Sequence, residues 1–249
     1  MLGFIISPAK TMNVLEGPPY VEGAPRFLAK TEKLMHAVAA LTYDEAKALW
    51  ATSDKLTQLN YERFADMDLA RDTTAAVIAY EGIQYQHLAA SIMDEDALAY
   101  LRRHLRILSG FYGVLAPFDG VVPYRLEMQA KLAVDDARDL YGFWGDTLAR
   151  SLAEEFGTLV NLASVEYAKA VTPHAKASGM RVVTCLFGQM KADKFVQRST
   201  EAKAARGSFV RWCAEAGIED ADALAGFAER GYALDAARSG EDELVFVSA

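Results

Sequence analysis

The sequence holds only two cysteines in 249 residues, Cys185 and Cys213, and neither has a second Cys or a His one helical turn away. That excludes the usual tetrahedral zinc patterns, and reduced thiols in or near the core are the expected state, with a redox-sensing pair as the lesser alternative. Histidine is as sparse. His36, His87, His104 and His174 are scattered, and no Glu-x-x-His pair of the di-iron type occurs. Neither a metal nor any other cofactor is therefore expected. Long apolar runs are absent too, since charged residues interrupt every window approaching the roughly 18 residues that a membrane span needs. The opening MLGFIISPAKT has only a short apolar run, no basic stretch before it and no small-residue cleavage site, so it reads as a first strand rather than a signal peptide. A soluble, cytoplasmic protein is expected. With no internal repeat, low-complexity tract or linker, the whole chain, 1–249, is read as one compact domain.

What is present is a large apolar complement, 52% hydrophobic against 24% charged, enough to bury a sizeable core. Leu2–Ile6 is an apolar run closed by Ser7-Pro8, which suits a buried strand. A Gly- and Pro-rich loop is expected over 17–25. Residues 75–80, 158–162, 182–187 and 244–247 concentrate β-branched and aromatic side chains and read as further strands. Helices are expected at 94–105, 146–156, 164–171, 200–216 and 220–229, and Thr42 with Glu45 forms a capping box, with Ser53 as another N-cap. The alternation is not the regular one of a doubly wound sheet, so the fold class is mixed α/β (α+β), a mixed sheet surrounded by helices.

The formal net charge of −8 is unevenly spread. Between Arg181 and Arg211 seven basic residues face two acidic ones, and between Glu215 and Glu243 nine acidic residues face two basic ones. A dipolar surface with one anion-attracting side follows, although such runs are as often solvated helix faces.

Four runs could carry chemistry. Ser7-Pro8-Ala9-Lys10-Thr11 follows the first strand, and a Ser N-cap with Pro at the first helical position would aim free N–H groups at an anion that Lys10 and Thr11 complete. The Ser-x-x-Lys spacing also fits penicillin-binding enzymes, but no Lys-Thr-Gly follows. The second run, His104 to Met128, is preceded by Arg102 and contains Arg106, with Gly110 and Gly113 permitting a tight turn like the phosphate-holding loop of helix-hairpin-helix DNA binders. At its end Tyr124-Arg125-Leu126-Glu127-Met128 alternates. Arg125 is then the ligand candidate and Glu127 its orienting partner. In the third run Asn161, Glu166 and Lys169 cluster where a strand passes into a helix capped by Ser164. The fourth places Lys203 and Arg206 on one helix face, with Arg198 and Arg211 extending the stripe.

Taken in order, SPAKT, SDKL (Ser53–Leu56), LSGFYGVL, PYRLEM, LYGFWGD (Leu140–Asp146), VNLAS-x-EY-x-KAV, K-x-ARG and ELVF (Glu243–Phe246) resemble the YaaA peroxide stress response family from residue 2 to 247. The resemblance implies a cytosolic bacterial protein of the peroxide response, associated with limiting damage from unincorporated iron. It also implies a compact mixed α/β fold and double-stranded DNA binding through a positively charged cleft. Lys10, Lys55, Arg125, Lys169, Lys203 and Arg206 match the family's motifs. The chain departs from them at Glu81-Gly82-Ile83-Gln84-Tyr85, where relatives commonly read Lys-Gly-Asp-Val-Tyr, so no function is carried onto 81, 83 or 84; Lys191, Lys194 and Arg198 are not carried over either.

The leading expectation is a non-specific DNA binder contacting phosphate and shape, without obligatory catalysis, since many cations but no recognition-helix code are present. The alternative is an enzyme acting on a nucleotide or other anionic small molecule in the same cleft, with Glu127 or Glu166 as acid/base.

Overall fold

A computed structural model describes residues 1–14 and 20–248. Of the loop expected over 17–25, residues 17–19 lie outside the described residues. The strands are β1 Leu2–Ile6, β2 Thr11–Met12, β3 Thr74–Ala75, β4 Tyr80–Glu81, β5 Leu105–Ser109, β6 Gly113–Leu115, β7 Gly120–Val121, β8 Thr158–Asn161, β9 Arg181–Lys191, β10 Lys194–Val196, β11 Tyr232–Leu234 and β12 Glu243–Ser248. Eight form a mixed sheet in the order β11-β12-β9-β8-β1-β5-β6, with β10 added to β9. Pairings β5–β1, β1–β8, β8–β9 and β9–β12 are parallel, and β6, β10 and β11 join antiparallel. Parallel strands covered on both faces should read as continuous apolar runs. In β1 every residue of Leu-Gly-Phe-Ile-Ile is buried. Side chains from Leu2 to Phe246 join one buried cluster.

Taken in chain order, the parallel strands step from β1 to β5 on one side and then to β8, β9 and β12 on the other. The winding therefore reverses between β1 and β8, as it does in doubly wound sheets, where ligands bind outside the carboxyl ends of the strands at the reversal. The regular alternation that would announce this order is hidden because residues 7–104, with several helices, intervene between β1 and β5.

The Thr42–Glu45 capping box forms, with Glu45 N–H donating to Thr42 Oγ1 at 3.4 Å and Thr42 N–H to Glu45 Oε2 at 2.8 Å. Ser53 takes the N-cap position of the Asp54–Ala65 helix without a side-chain bond. Three expectations fail. Residues 75–80 are mainly a helical turn, Ala76–Ala79, between β3 and β4, because a short buried apolar run does not distinguish strand from helix. Residues 220–229 form a 3₁₀ turn, Asp222–Gly226, and Asp220 Oδ1 takes the Asp222 N–H in place of a helical partner. The expected helix-hairpin-helix element is instead the Glu95–His104 helix running into a β-hairpin of β5 and β6.

The hairpin's glycines have packing roles. Gly113 lies at φ +79°, and a Cβ there would meet the Trp144 ring at 2.8 Å. At Gly110 a Cβ would lie 2.6 Å from Leu126 O, so the missing side chain lets the Tyr124–Met128 segment cross the hairpin backbone to backbone. A third contact of this kind joins the Ser199–Ala216 helix to the Ile83–Leu88 helix, where a Cβ on Gly207 would lie 2.1 Å from Gln84 O. Replacing Gly207 with Ala should force the helices apart and lower stability by about 1–3 kcal/mol in denaturant unfolding. A loss below about 0.5 kcal/mol, the range of an indifferent surface change, would show that the contact carries no constraint.

Candidate functional site

A cavity of about 550 Å³ opens at the reversal point. Ser7, at the carboxyl end of β1, does not start a helix; the chain runs through Pro8 and Ala9 into β2. Its hydroxyl accepts the Ser164 N–H at 2.8 Å, and its carbonyl accepts the Tyr85 hydroxyl at 2.8 Å. One residue thus ties together the ends of β1 and β8 and the Ile83–Leu88 helix. Asn161 serves the same corner from within, accepting Ala163 N–H at 3.1 Å and donating to Thr184 Oγ1 at 3.3 Å.

Four cations line the cavity: Lys10, Arg125, Lys203 and Arg206. So do three carboxylates, Glu81, Glu127 and Glu166, which makes the lining mixed where a uniformly basic cleft was expected. Along Tyr124–Met128 the alternation holds in burial, with Tyr124, Leu126 and Met128 buried and Arg125 and Glu127 half-buried, while all but Met128 line the cavity. Lys10 Nζ stands 2.8 Å from Glu127 Oε2 and Arg125 Nη2 3.1 Å from Glu127 Oε1, so one carboxylate serves two cations. Glu166 accepts the Gln129 N–H at 3.2 Å. Burial raises its carboxyl pKa from the ordinary value, against the Gln129 hydrogen bond and the Lys10 charge, while the neighbouring Glu127 adds to the rise. At one wall Tyr124 is hydrogen-bonded to Tyr80 at 2.8 Å and to Ser109 at 2.6 Å, and burial pushes its phenol up to about 12, which keeps this wall neutral.

Opposite stands the Ser199–Ala216 helix. Lys203 and Arg206 share its cavity face as the three-residue spacing predicts, and among the described residues neither has an ion pair or hydrogen bond. Arg206 is largely buried, its Nε has no partner, and burial pulls the guanidinium below its ordinary pKa. The Nε of Arg125 and the Nε2 of Gln84 are orphaned in the same way, and Gln84 is only 7% exposed. Unpartnered buried donors are rare and call for an unseen acceptor. All three belong to residues that line one cavity, where Lys203 is also without a partner among the described residues.

The other candidates lie elsewhere. Arg102 is paired with Glu22 at 2.8 Å and Glu95 at 2.7 Å. Arg106 is committed to Glu155, to the carbonyls of Arg102 and Leu105 and to the Phe156 ring. Lys169 sits over the Tyr141 ring at 4.9 Å, and Lys55 is exposed on the Asp54–Ala65 helix away from the cavity. Arg211, expected to extend the basic stripe, pairs with Glu215. Thr11 lines the cavity from β2, paired with Glu81. Sequence reasoning missed the wall at 81–85, the segment set aside as a departure from relatives. The usable signal was Gly207, since a glycine inside a helical run marks close approach of another backbone. Both cysteines are free and buried, and burial pushes both thiols up, the state of inert core residues. Among the described residues no group of three or more His, Cys, Asp or Glu is placed to hold a metal, and no helix is long and apolar enough to cross a membrane.

The cavity thus gathers Ser7, Lys10, Thr11, Arg125, Glu127, Glu166, Lys203 and Arg206 from motifs spread over the chain, and comparison with known proteins places those motifs. The family model for peroxide stress protein YaaA matches residues 2–238. The chain belongs to that family. Relatives include a UPF0246 protein of Pediococcus pentosaceus, 46% identical over 243 residues, with 98% of this chain and 96% of the relative covered. Another, from Lachnoclostridium phytofermentans, is 44% identical over 244 residues, covering 98% and 95%. The residues matched by the family model thus include β1 to β11, the hairpin and both walls of the cavity.

A buried guanidinium without a carboxylate is costly, whereas an apolar side chain of similar length is not. Arg206→Met should therefore leave stability unchanged or raise it while weakening anion binding. A fall in melting temperature with anion affinity retained would make Arg206 a structural residue instead.

Proposed function

We propose that this protein serves the peroxide stress response in the bacterial cytoplasm by binding nucleic-acid phosphates at the cavity between β1 and β8. The observation that supports this most is the pair of unpaired cations Lys203 and Arg206, facing Lys10 and Arg125 across one opening. Cations held together without a ligand repel one another, and a phosphate relieves that repulsion through charge-assisted hydrogen bonds. Lys10, 64% exposed and tied among the described residues only to Glu127, stands with exposed Lys203 where a DNA backbone passing over the opening would meet them. Arg125 and Arg206 lie deeper, suited to a phosphate that enters. Contacts of this type position a backbone and read no bases. Binding that shields DNA from iron-dependent oxidation is the corresponding cellular role.

A second reading, an enzyme acting on a nucleotide-sized anion, is favoured by Glu166. Its carboxyl, its pKa raised by burial, lines the same cavity as the cations, where an acid/base group would act.

Duplex DNA should bind at low salt with little sequence preference, and Lys203→Ala should weaken binding uniformly and reduce the slope of log affinity against log salt by about one. Absence of a complex with micromolar protein at low salt would remove the DNA reading. Turnover of a nucleotide that Glu166→Gln abolishes would establish the enzyme.

A further inference from the structure

The positive charge of the cavity is concentrated on one wall. Ser199, Lys203 and Arg206 all come from the Ser199–Ala216 helix, and no carboxylate of that helix lines the cavity. The acid of its first turn, Glu201, pairs with Arg230 at 3.2 Å instead. Ser199 is the first helical residue, and the N-cap residue Arg198 makes no side-chain hydrogen bond to the turn that follows. The positive end of an 18-residue helix dipole therefore adds to two cations that are unpaired among the described residues. The carboxylates of the lining, Glu81, Glu127 and Glu166, lie on other segments, and Glu127 is already shared by Lys10 and Arg125.

The cations also stand at two depths. Lys10, Ser199 and Lys203 are exposed, whereas the Arg125 side chain is only 12% exposed and Arg206 is largely buried. A phosphodiester inside a duplex is tethered to strand on both sides, and a cavity of about 550 Å³, the size of a small-ligand site, does not admit that bulk. It does admit a chain end. A terminal phosphate is a monoester with about two charges near neutral pH and three acceptor oxygens, where an internal diester has about one charge and fewer free oxygens.

We infer that the cavity holds the terminal phosphate monoester of a nucleic-acid strand, bound between the Arg206 and Arg125 guanidiniums, with the adjoining diester at Lys10 and Lys203 in the mouth. The inference rests on the phosphate reading of the cavity. The extra free oxygen gives two planar guanidinium forks more to grip than a diester offers. The second charge is what a wall of unpaired cations beside a helix N-terminus selects. A free nucleotide shares the monoester but lacks the adjoining backbone, so it forgoes the contacts at the mouth.

Binding of the full chain at low salt to internally labelled duplexes of one sequence, whose ends carry hydroxyls, 5′-phosphates or 3′-phosphates, tests this, with adenosine monophosphate as competitor. One of the phosphorylated duplexes should bind at least about ten-fold more tightly than the hydroxyl-ended one, the low end of what a hydrogen bond to a charged group contributes. Arg206→Met and Arg125→Ala should each bring the phosphorylated and hydroxyl-ended affinities together, while Lys203→Ala should lower both and keep their ratio. Thermal melts show whether each variant is folded. Equal affinities in the unmodified protein, or a preference that survives in either folded arginine variant, would overturn the terminal-phosphate site and leave the DNA reading standing. Adenosine monophosphate binding as tightly as the phosphorylated duplex would overturn the strand end and assign the monoester to a free nucleotide. Failure of every duplex to bind would remove both the inference and the DNA reading.

Discussion

The helix bearing Lys203 and Arg206 approaches the Gln84 carbonyl so closely that a Cβ on Gly207 would lie 2.1 Å from it. The arrangement of the site depends on that backbone contact. It presses the Ser199–Ala216 helix onto the Ile83–Leu88 helix and so sets the cations of one wall against Gln84 and Tyr85 of the next. The Tyr85 hydroxyl, through the Ser7 carbonyl, then ties this pair of helices to the end of β1. On the other side Gly110 lets Tyr124–Met128 cross the hairpin, which brings Arg125 and Glu127 to the same opening. Glycine thus acts here through the space it leaves.

That scaffold holds charges in an arrangement that does not serve stability. Many arginines elsewhere are paired, among them Arg102 with two glutamates, Arg106 with Glu155, Arg181 with Asp242 and Arg230 with Glu201. At the cavity three carboxylates lie near four cations, yet among the described residues Arg206 and Lys203 remain unpaired, and Glu166 is raised by burial. Desolvated groups without complementary partners concentrate at functional sites because a ligand supplies the missing partner. The neutral Tyr124 of one wall deepens the effect, since a less polar surround strengthens whatever electrostatic contact the ligand makes.

The sequence carried the central strands legibly, because β1 is apolar throughout and β8 is built on Leu159 and Val160, and the capping box at Thr42, because its two bonds are local. Lys203 and Arg206 were readable as one face from their spacing, and Arg125 as a cavity residue from alternation. What local pattern could not carry was anything settled by tertiary approach. Gly110 and Gly113 resembled a phosphate-binding turn because a glycine looks the same whether it frees an N–H or admits a ring, and only Trp144 and the 126–128 backbone decide. Arg102, Arg106 and Lys169 were plausible cations until distant Glu22, Glu155 and Tyr141 claimed them. The strand order was hidden by the long excursion after β1, and with it the reason why Ser7 and Ser164, 157 positions apart, share a hydrogen bond.

The central claim is that the reversal point of the sheet is an anion site. A crystal of the protein soaked in tungstate, a phosphate-shaped anion with strong anomalous scattering, tests it directly. The account expects the dominant anomalous peak within hydrogen-bonding distance of the Arg206 and Lys203 side chains, facing Arg125. A cavity empty of tungstate, with the anion found only on surface lysines such as Lys55 or Lys169, would contradict it.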